Sequence, residues 1–394
     1  MKKVKAGLIG AGGYGAMYVG LLSTYHESGQ LEFAAAVVRR PEKIPDAVAR
    51  MKNLGVRIYP DSAAMYQSEH LDLVCIPTGI EFHEPMTLEA LEHGVNVLVE
   101  KPVAGSMRAV EVMKAAEKTH PDNFVMVGFQ HVAARELQRI KQILVSGRLG
   151  KVEQITAFGI WPRADVYYGR NDWAGKLKSK NGDWVLDSPA NNAFAHYLNI
   201  SLFLAGRSFG QSADAMAMEA ELYRARPAIE TFDSCAIRVE TAAGVKILAL
   251  FCHSAAKAVE PMIRIDCENG SVHWAQGPEG AWEIRDRAGK VLESGIVVDC
   301  RADMMLDAAA KVADRSRFVC TLEIGSKQTS CIEKLHQNFE PVALDTPWVA
   351  RRESDGQLTV TGMEALWTKC FNEGKMPSEC GDEKWLIPSK RVEM

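Results

Sequence analysis

Val4-Lys5-Ala6-Gly7-Leu8-Ile9 runs directly into Gly10-Ala11-Gly12-Gly13-Tyr14-Gly15, and this junction decides how the rest of the chain is read. A short apolar run followed by glycines at this spacing is how a β-strand turns into a helix around a dinucleotide pyrophosphate. Gly10 permits the tight turn, Gly12 lets the backbone approach the phosphates, and Gly15 lets the helix pack close to the strand. The N–H groups that open the following helix then face the anion. Gly13 and Tyr14 complete the loop, so residues 10 and 12–15 are the first expected cofactor contacts. By itself the pattern also fits a glycine-rich loop between two core elements.

Lys2, Lys3 and Lys5 ahead of an apolar segment imitate a secretory leader. Three glycines and Tyr14 interrupt the would-be apolar core, and no small-residue cleavage site follows, so that reading is rejected. No uninterrupted apolar stretch reaches the roughly eighteen residues that a membrane span needs. With 394 residues, 47% of them hydrophobic, the chain has material for two cored domains. A net charge of -4 and a pI near 6.2 argue against nucleic acid or an anionic membrane as partner. The nine cysteines are scattered singly between Cys75 and Cys380, without the paired spacing of a zinc site or a redox dithiol. Reduced thiols in a cytoplasmic protein, and no metal, are expected.

Across residues 1–128 short apolar runs alternate with amphipathic segments, the pattern of a doubly wound parallel sheet. The expected strands are Val4–Ile9, Phe33–Val38, Leu71–Ile76, Val95–Val99 and Phe124–Gly128, with helices over Glu84–His93 and Met107–Lys118. A further helix is expected over Val132–Ser146. Beyond it the strands lengthen and tight turns replace helices: Val152–Ile160, Cys235–Thr241, Val245–Cys252, Met262–Glu268 and Ser271–Trp274. Asn269-Gly270 is a two-residue hairpin signal, and Ala243-Gly244 and Ala288-Gly289 mark similar reversals. Residues 129–394 are therefore expected to form an α+β domain with a large, mostly antiparallel open sheet, helices on one face, and a last helix over Gly362–Asn372. The overall class is α/β, and an open sheet suits a homodimer or homotetramer.

Val99-Glu100-Lys101-Pro102-Val103 stands at the carboxyl end of the fourth expected strand, where open α/β sheets bind ligands. The same residues fit a surface ion pair before a turn proline. At the end of the second strand, Val37-Val38-Arg39-Arg40-Pro41 lacks the carboxylate that holds a ribose 2′-hydroxyl. Arg39 and Arg40 favour a 2′-phosphate, and hence NADP within an NAD(P) requirement. Exposed arginines before a proline equally describe a solvated turn. His196, after the apolar Ala193-Phe194-Ala195, is by position alone a core histidine.

Together the glycine loop, Glu100-Lys101-Pro102, Val127-Gly128-Phe129-Gln130 and His196-Tyr197-Leu198-Asn199 resemble the Gfo/Idh/MocA oxidoreductases, over about residues 3 to 210. The resemblance implies an N-terminal Rossmann domain and a C-terminal sheet domain. It also implies hydride transfer between a nicotinamide and a secondary alcohol of a sugar, sugar derivative or cyclitol. It implies that Lys101 lies near the reacting carbon, that His196 is catalytic, and that Pro77, Thr78, His83, Glu100 and Gln130 border the cofactor. The block from Trp161-Pro162-Arg163 through Tyr167-Tyr168-Gly169-Arg170 to Trp173-Ala174-Gly175-Lys176 is similar to a segment that walls the family's substrate pocket, with Arg163, Tyr168 and Trp173 as contacts. Rings stack on sugar C–H faces and guanidinium groups bond hydroxyls, while Arg163, Arg170 and Lys176 also suit a carboxylate.

Four positions before His196 many members carry aspartate; here the residue is Asn192. An amide orients a hydroxyl without accepting its proton, which leaves His196 and Lys101 as candidate bases, with His196 expected to take the proton and Lys101 to polarise the oxygen. Asn199 replaces another common aspartate. Two other functions remain compatible: a glycosidase that oxidises transiently with bound NAD(P), and a non-catalytic sensor of sugar or nucleotide.

Overall fold

The computed structural model describes residues 3–394, so Lys2 lies outside the described residues. The chain divides into two compact units, residues up to Ala133 with Cys300–Ser326, and Ala134–Asp299 with Lys327–Met394.

In the first unit the described strands are β1 (Lys5–Ile9), β2 (Glu32–Val37), β3 (Arg57–Tyr59), β4 (Leu73–Ile76), β5 (Asn96–Val99) and β6 (Val125–Val127). They form a six-stranded sheet in the order β3-β2-β1-β4-β5-β6, every pair parallel. Because order reverses at β1, a crevice opens beyond the carboxyl ends of β1 and β4. Leu73-Val74-Cys75-Ile76 and Val97-Leu98-Val99 are wholly buried. Such unbroken apolar runs are what a sheet covered on both faces requires. The five expected strands match to within a residue or two at each end.

The region between Val38 and Leu71 contains β3 and the helices Pro45–Asn53 and Ser62–Ser68, none of them expected. Arg57-Ile58-Tyr59 is a short, partly exposed edge strand, too brief for a period-two signal. Cys300–Ser326 returns to this unit although the sequence places it in the second domain. Met304, Met305 and Ala308 of the helix Arg301–Ala313 join the core built on Tyr18, Leu22, Phe33 and Met51. Behind it, the Cys320 carbonyl accepts from the Val127 N–H at 2.8 Å.

The second unit is built on a ten-stranded sheet. It runs β14 (Val291–Ile296), β13 (Ala281–Asp286), β12 (Gly270–Ala275), β11 (Val259–Cys267), β7 (Val152–Ile160), β10 (Lys246–Cys252), β9 (Ser234–Thr241), β8 (Ala215–Arg224) and β15 (Val342–Ala343), with Val392–Glu393 also on β8. Within this sheet only β7–β10 and β15–β8 pair in parallel among the described residues, so it is mostly antiparallel, as expected.

Helices cover both faces of its centre, not one. Phe158 and Ile160 of β7 pack with Trp367 of the helix Met363–Glu373. On the opposite side of the pleat, a side chain at Gly159 would come within 2.6 Å of the Phe194 ring, which caps the helix Ala195–Ala205. The Asn269-Gly270 signal marks its hairpin one residue late. Cys267 pairs with Gly270, which leaves Glu268 and Asn269 in the turn. Gly270 serves a close approach instead, since a Cβ there would lie 2.2 Å from the Arg285 carbonyl oxygen.

The helix Ala195–Ala205 is anchored at its carboxyl end by Lys141, whose side chain is wholly buried. Its Nζ donates to the Phe203 and Gly206 carbonyls at 2.5 Å each, and burial pulls its pKa down to about 7. A cation at a helix carboxyl terminus satisfies carbonyls that have no intrahelical partner. Lys141→Met should therefore lower stability by about 2–4 kcal/mol, measured by urea denaturation, because buried carbonyls lose their donor. An unchanged midpoint would show that the anchor is dispensable.

Candidate functional site

In the first unit, Gly10 lies one residue beyond β1 at φ 96°, a backbone region that L side chains avoid. A Cβ on Gly15 would sit 2.0 Å from the Gly10 carbonyl oxygen, so the helix Gly15–Glu27 approaches β1 only because residue 15 has no side chain. Gly12 differs. The nearest atom to a Cβ there is Ile44 Cγ2 at 3.9 Å, so the protein itself leaves room. Space kept open at that point of the loop fits a pyrophosphate against bare backbone.

The loop opens onto a cavity of about 740 Å³ lined by Gly10–Gly13, Arg39, Arg40, Lys43, Ile44, Thr78, Phe82 and Met86 among others. That is in the range of small-molecule and cofactor sites. Arg39 and Arg40 are exposed on its rim, and Lys43 adds a third cation. The Asp61 carboxylate also lines it but accepts from the Ala64 N–H at 2.8 Å, capping the helix Ser62–Ser68. Tyr14 is half exposed at the opening of the helix.

Pro77 and Thr78 follow β4 beside the glycine turn, with Thr78 Cγ2 3.1 Å from where a Gly10 Cβ would lie. His83 and Glu100, by contrast, sit beneath the loops. The His83 ring is wholly buried, with Nδ1 2.9 Å from the Pro102 carbonyl and Nε2 3.3 Å from the Thr78 carbonyl. It ties the segment after β4 to the segment after β5, and burial lowers its pKa. Glu100 is buried too, accepting from Tyr18 Oη at 2.7 Å and from the Lys101 N–H at 3.0 Å. Burial raises its carboxyl pKa, opposed by the Lys101 charge. A Cβ on Gly128 would fall 2.8 Å from that carboxylate, which explains the glycine in Val127-Gly128-Phe129-Gln130. These two side chains therefore position Lys101, which precedes a cis proline, instead of facing the cavity. Gln130 opens the short helix Gln130–Ala133 and is half-buried.

In the second unit the Trp161–Trp173 block forms a connected wall. Trp161 stacks on Phe194 at 4.8 Å, and Phe194 on His253 at 5.3 Å. The Arg163 guanidinium carbon lies 4.7 Å from the Tyr167 ring centre, that of Arg170 3.7 Å from the same ring, and that of Arg226 4.6 Å from Tyr168. Arg170 also lies over Trp173 at 5.2 Å. Trp161, Arg163, Tyr168 and Trp173 are half-buried, as suits a wet wall.

Asn192 and His196 are half-buried while Phe194, Ala195, Tyr197 and Leu198 are buried, so the two share the open side of this turn. The helix itself starts only at Ala195, and Asn192 belongs to the turn before it. Asn192 Nδ2 donates to Asp187 Oδ1 at 2.7 Å. Asp187 is nearly buried, accepts from the Gly175 N–H at 2.6 Å, and lies 3.6 Å from Arg170. A carboxylate thus stands beside the amide, supplied from five positions upstream. Leu186 before it is held at φ 52°, a conformation that costs a branched side chain about 1–2 kcal/mol. Asn199 is wholly buried.

Sequence reasoning missed Asp187, His253, Lys43 and Tyr18. His253 follows β10, and its Nδ1 meets the Trp161 carbonyl at 2.8 Å. Burial, reinforced by Arg163, pushes its pKa down to about 3. No local pattern marks these residues. Among the described residues no three His, Cys, Asp or Glu side chains gather as metal ligands, and no helix is long and apolar enough to cross a membrane.

A parallel sheet of this order, with a glycine turn at its reversal point, defines a dinucleotide-binding Rossmann unit. Residues 4–129 match the Gfo/Idh/MocA profile, the oxidoreductase family with an NAD-binding Rossmann fold. The first unit thus carries the Rossmann domain of that family. It is 25% identical over 165 residues to the inositol 2-dehydrogenase/D-chiro-inositol 3-dehydrogenase of Lacticaseibacillus casei, covering 42% of this chain and 47% of the relative. The chain spans about half the length of the curated relatives it first matches.

Among solved structures, the WlbA dehydrogenase of Bordetella pertussis, in complex with NADH and UDP-GlcNAcA, superposes with a TM-score of 0.69 at 19% identity, over 87% of this chain and 100% of the other. The myo-inositol 2-dehydrogenase of Lactobacillus plantarum gives 0.68 at 20% identity, over 85% and 97%. At these identities the likeness is one of fold.

Two predictions follow from this geometry. Gly15→Ala should cost about 2 kcal/mol or more by forcing helix and strand apart, whereas Gly12→Ala should melt like wild type and lose at least about tenfold in nucleotide affinity by calorimetry. Equal stability losses would contradict the distinction.

The buried histidines set an acid limit. Burial holds His253 at about 3 and His336 at about 4, and lowers His83, below the ordinary value of 6.5. As pH falls below about 6.5 the unfolded chain takes up protons that the folded chain refuses, so stability drops progressively toward pH 4. Melting temperatures recorded from pH 7.5 to 4.5 check this, and substituting Gln for His253 should flatten the slope.

Proposed function

We propose that this protein is an NAD(P)-dependent dehydrogenase or reductase acting on a secondary alcohol of a sugar, sugar derivative or cyclitol. The observation that carries the reading is the strand–glycine turn–helix with room for a pyrophosphate at Gly12, opening on a cavity of cofactor size. When bound, the nicotinamide would supply the hydride acceptor or donor. Gly10, Gly12, Gly13 and Gly15 would hold its pyrophosphate, and Arg39, Arg40 and Lys43 the ribose end.

With three cations on that rim and the Asp61 carboxylate engaged as a helix cap, NADP is the preferred form in this reading. His196 is assigned as the base that takes the hydroxyl proton, since a neutral imidazole accepts it near pH 7. Asn192 hydrogen-bonds the substrate, its amide oriented by Asp187. Lys101 is assigned to polarise the reacting oxygen, its loop held by Glu100 and His83. A cytoplasmic homo-oligomer built on the sheet domain is the assembly in this proposal, supported by Val291 and Ile296 exposed on β14.

Absorbance of reduced nicotinamide, followed with pooled sugars, sugar acids and inositols, tests the reading. His196→Ala should lower kcat by about 10²–10⁴ with nucleotide binding intact. Arg39→Ser with Arg40→Ser should weaken NADP binding by about 10–100-fold and leave NAD nearly unchanged. Full turnover in His196→Ala would remove the assignment.

A further inference from the structure

Three cations of the second unit, Arg163, Arg170 and Lys176, carry the side-chain chemistry to receive an anion, and the structure disposes of two. Arg170 is 3.6 Å from the Asp187 carboxylate and donates to the Tyr167 carbonyl at 2.6 Å. Lys176 pairs with Glu230 at 3.2 Å. Arg163 is left. Its guanidinium makes no hydrogen bond or ion pair with any described residue, and its Nε is buried without a partner.

No carboxylate forms an ion pair with Arg163 among the described residues. Asp165 is clamped by Arg226 and Arg351, and Asp187 is held by Arg170, Asn192 and the Gly175 N–H. Glu260 accepts from Trp161 Nε1 at 3.3 Å.

Nor is Arg163 a loose surface arginine. Its N–H donates to the His253 carbonyl at 3.1 Å, its own carbonyl accepts from Arg226, and its guanidinium lies against the Tyr167 and Trp161 rings at 4.7 and 5.7 Å. A guanidinium fixed on aromatic faces, half withdrawn from water and uncompensated, is a prepared receptor for an anion. Trp161 stacks on Phe194, which opens the helix bearing His196, so this receptor belongs to the same cluster as the assigned base.

One uncompensated positive charge matches a singly charged carboxylate. A phosphate dianion calls for a second free cation, and Arg170, its neighbour over Tyr167, is already neutralised. We infer that Arg163 receives the carboxylate of a sugar acid, an aldonate or a uronate, and makes that class the preferred substrate over neutral sugars and cyclitols. The inference rests on the oxidoreductase reading for its meaning, though the binding it describes is measured without turnover.

The test uses the full chain saturated with NADP⁺ and calorimetric titration of aldonates and uronates of gluco, galacto and manno configuration. Each is set against its neutral amide, with the corresponding sugar phosphates as a further arm. At least one acid is expected to bind about 100-fold more tightly than its amide, with Arg163→Gln erasing the difference. Arg163→Lys, which keeps the charge and loses the fork, should retain part of the preference and lose at least about tenfold of it. Loss of ring packing alone would weaken acid and amide equally.

The inference is overturned if no acid outbinds its amide, if a sugar phosphate outbinds the acids, or if the preference survives in Arg163→Gln. Should Arg163→Gln fail to fold, an undiminished preference in Arg163→Lys overturns it. Reduced-nicotinamide absorbance recorded in parallel separates the two levels. Acid binding that depends on Arg163 without net nucleotide reduction upholds the receptor and removes the dehydrogenase reading. Reduction driven by neutral sugars, with no preference for acids, does the reverse.

Discussion

The closure between β1 and the helix that follows it constrains the whole first unit. With the Gly10 carbonyl 2.0 Å from where a Cβ on residue 15 would stand, strand and helix meet only through glycine. That contact brings the helix N-terminus over the carboxyl end of the sheet, where its unpaired N–H groups and its dipole favour an anion. The neighbouring loops are then built to the same surface. His83 ties the chain after β4 to the chain after β5, and Glu100, held by Tyr18, carries Lys101 on its backbone. The buried polar groups therefore shape the loops.

The second unit obeys a different constraint, the satisfaction of buried charge. Asp187 is nearly inaccessible, and its oxygens are shared among an amide, a backbone N–H and Arg170. Lys141 is wholly buried against carbonyls at the other end of the helix that starts at Ala195. A buried ion left without partners is costly, so such groups are held in one geometry. Here that geometry orients Asn192 and fixes the helix whose first turn carries His196. Arg163 stands out against this background because its charge is uncompensated.

Much of the fold was legible because it is written in local periodicity. The apolar runs at Leu71–Ile76 and Val95–Val99, and the long alternating strands from Val152 onward, report burial directly. What escaped was either too short or too distant. The three-residue β3 has no period to read, and Cys300–Ser326 enters the first core through Met304 and Met305, a choice made by long-range packing. Helices on both faces of the large sheet were likewise hidden, since Gly159 reads as a weak strand residue until Phe194 is seen against it.

The sequence by itself determined the glycine turn and the parallel sheet, because each depends on residue type at short spacing. Only the tertiary structure decided which of the polar side chains are exposed and which are buried against distant partners. Glu100 and His83 lie buried beneath the loops, Asp187 stands beside Asn192, and Arg170 and Lys176 pair with carboxylates while Arg163 does not. Those outcomes depend on partners supplied from distant positions, and pairing at a distance has no local signature in the chain.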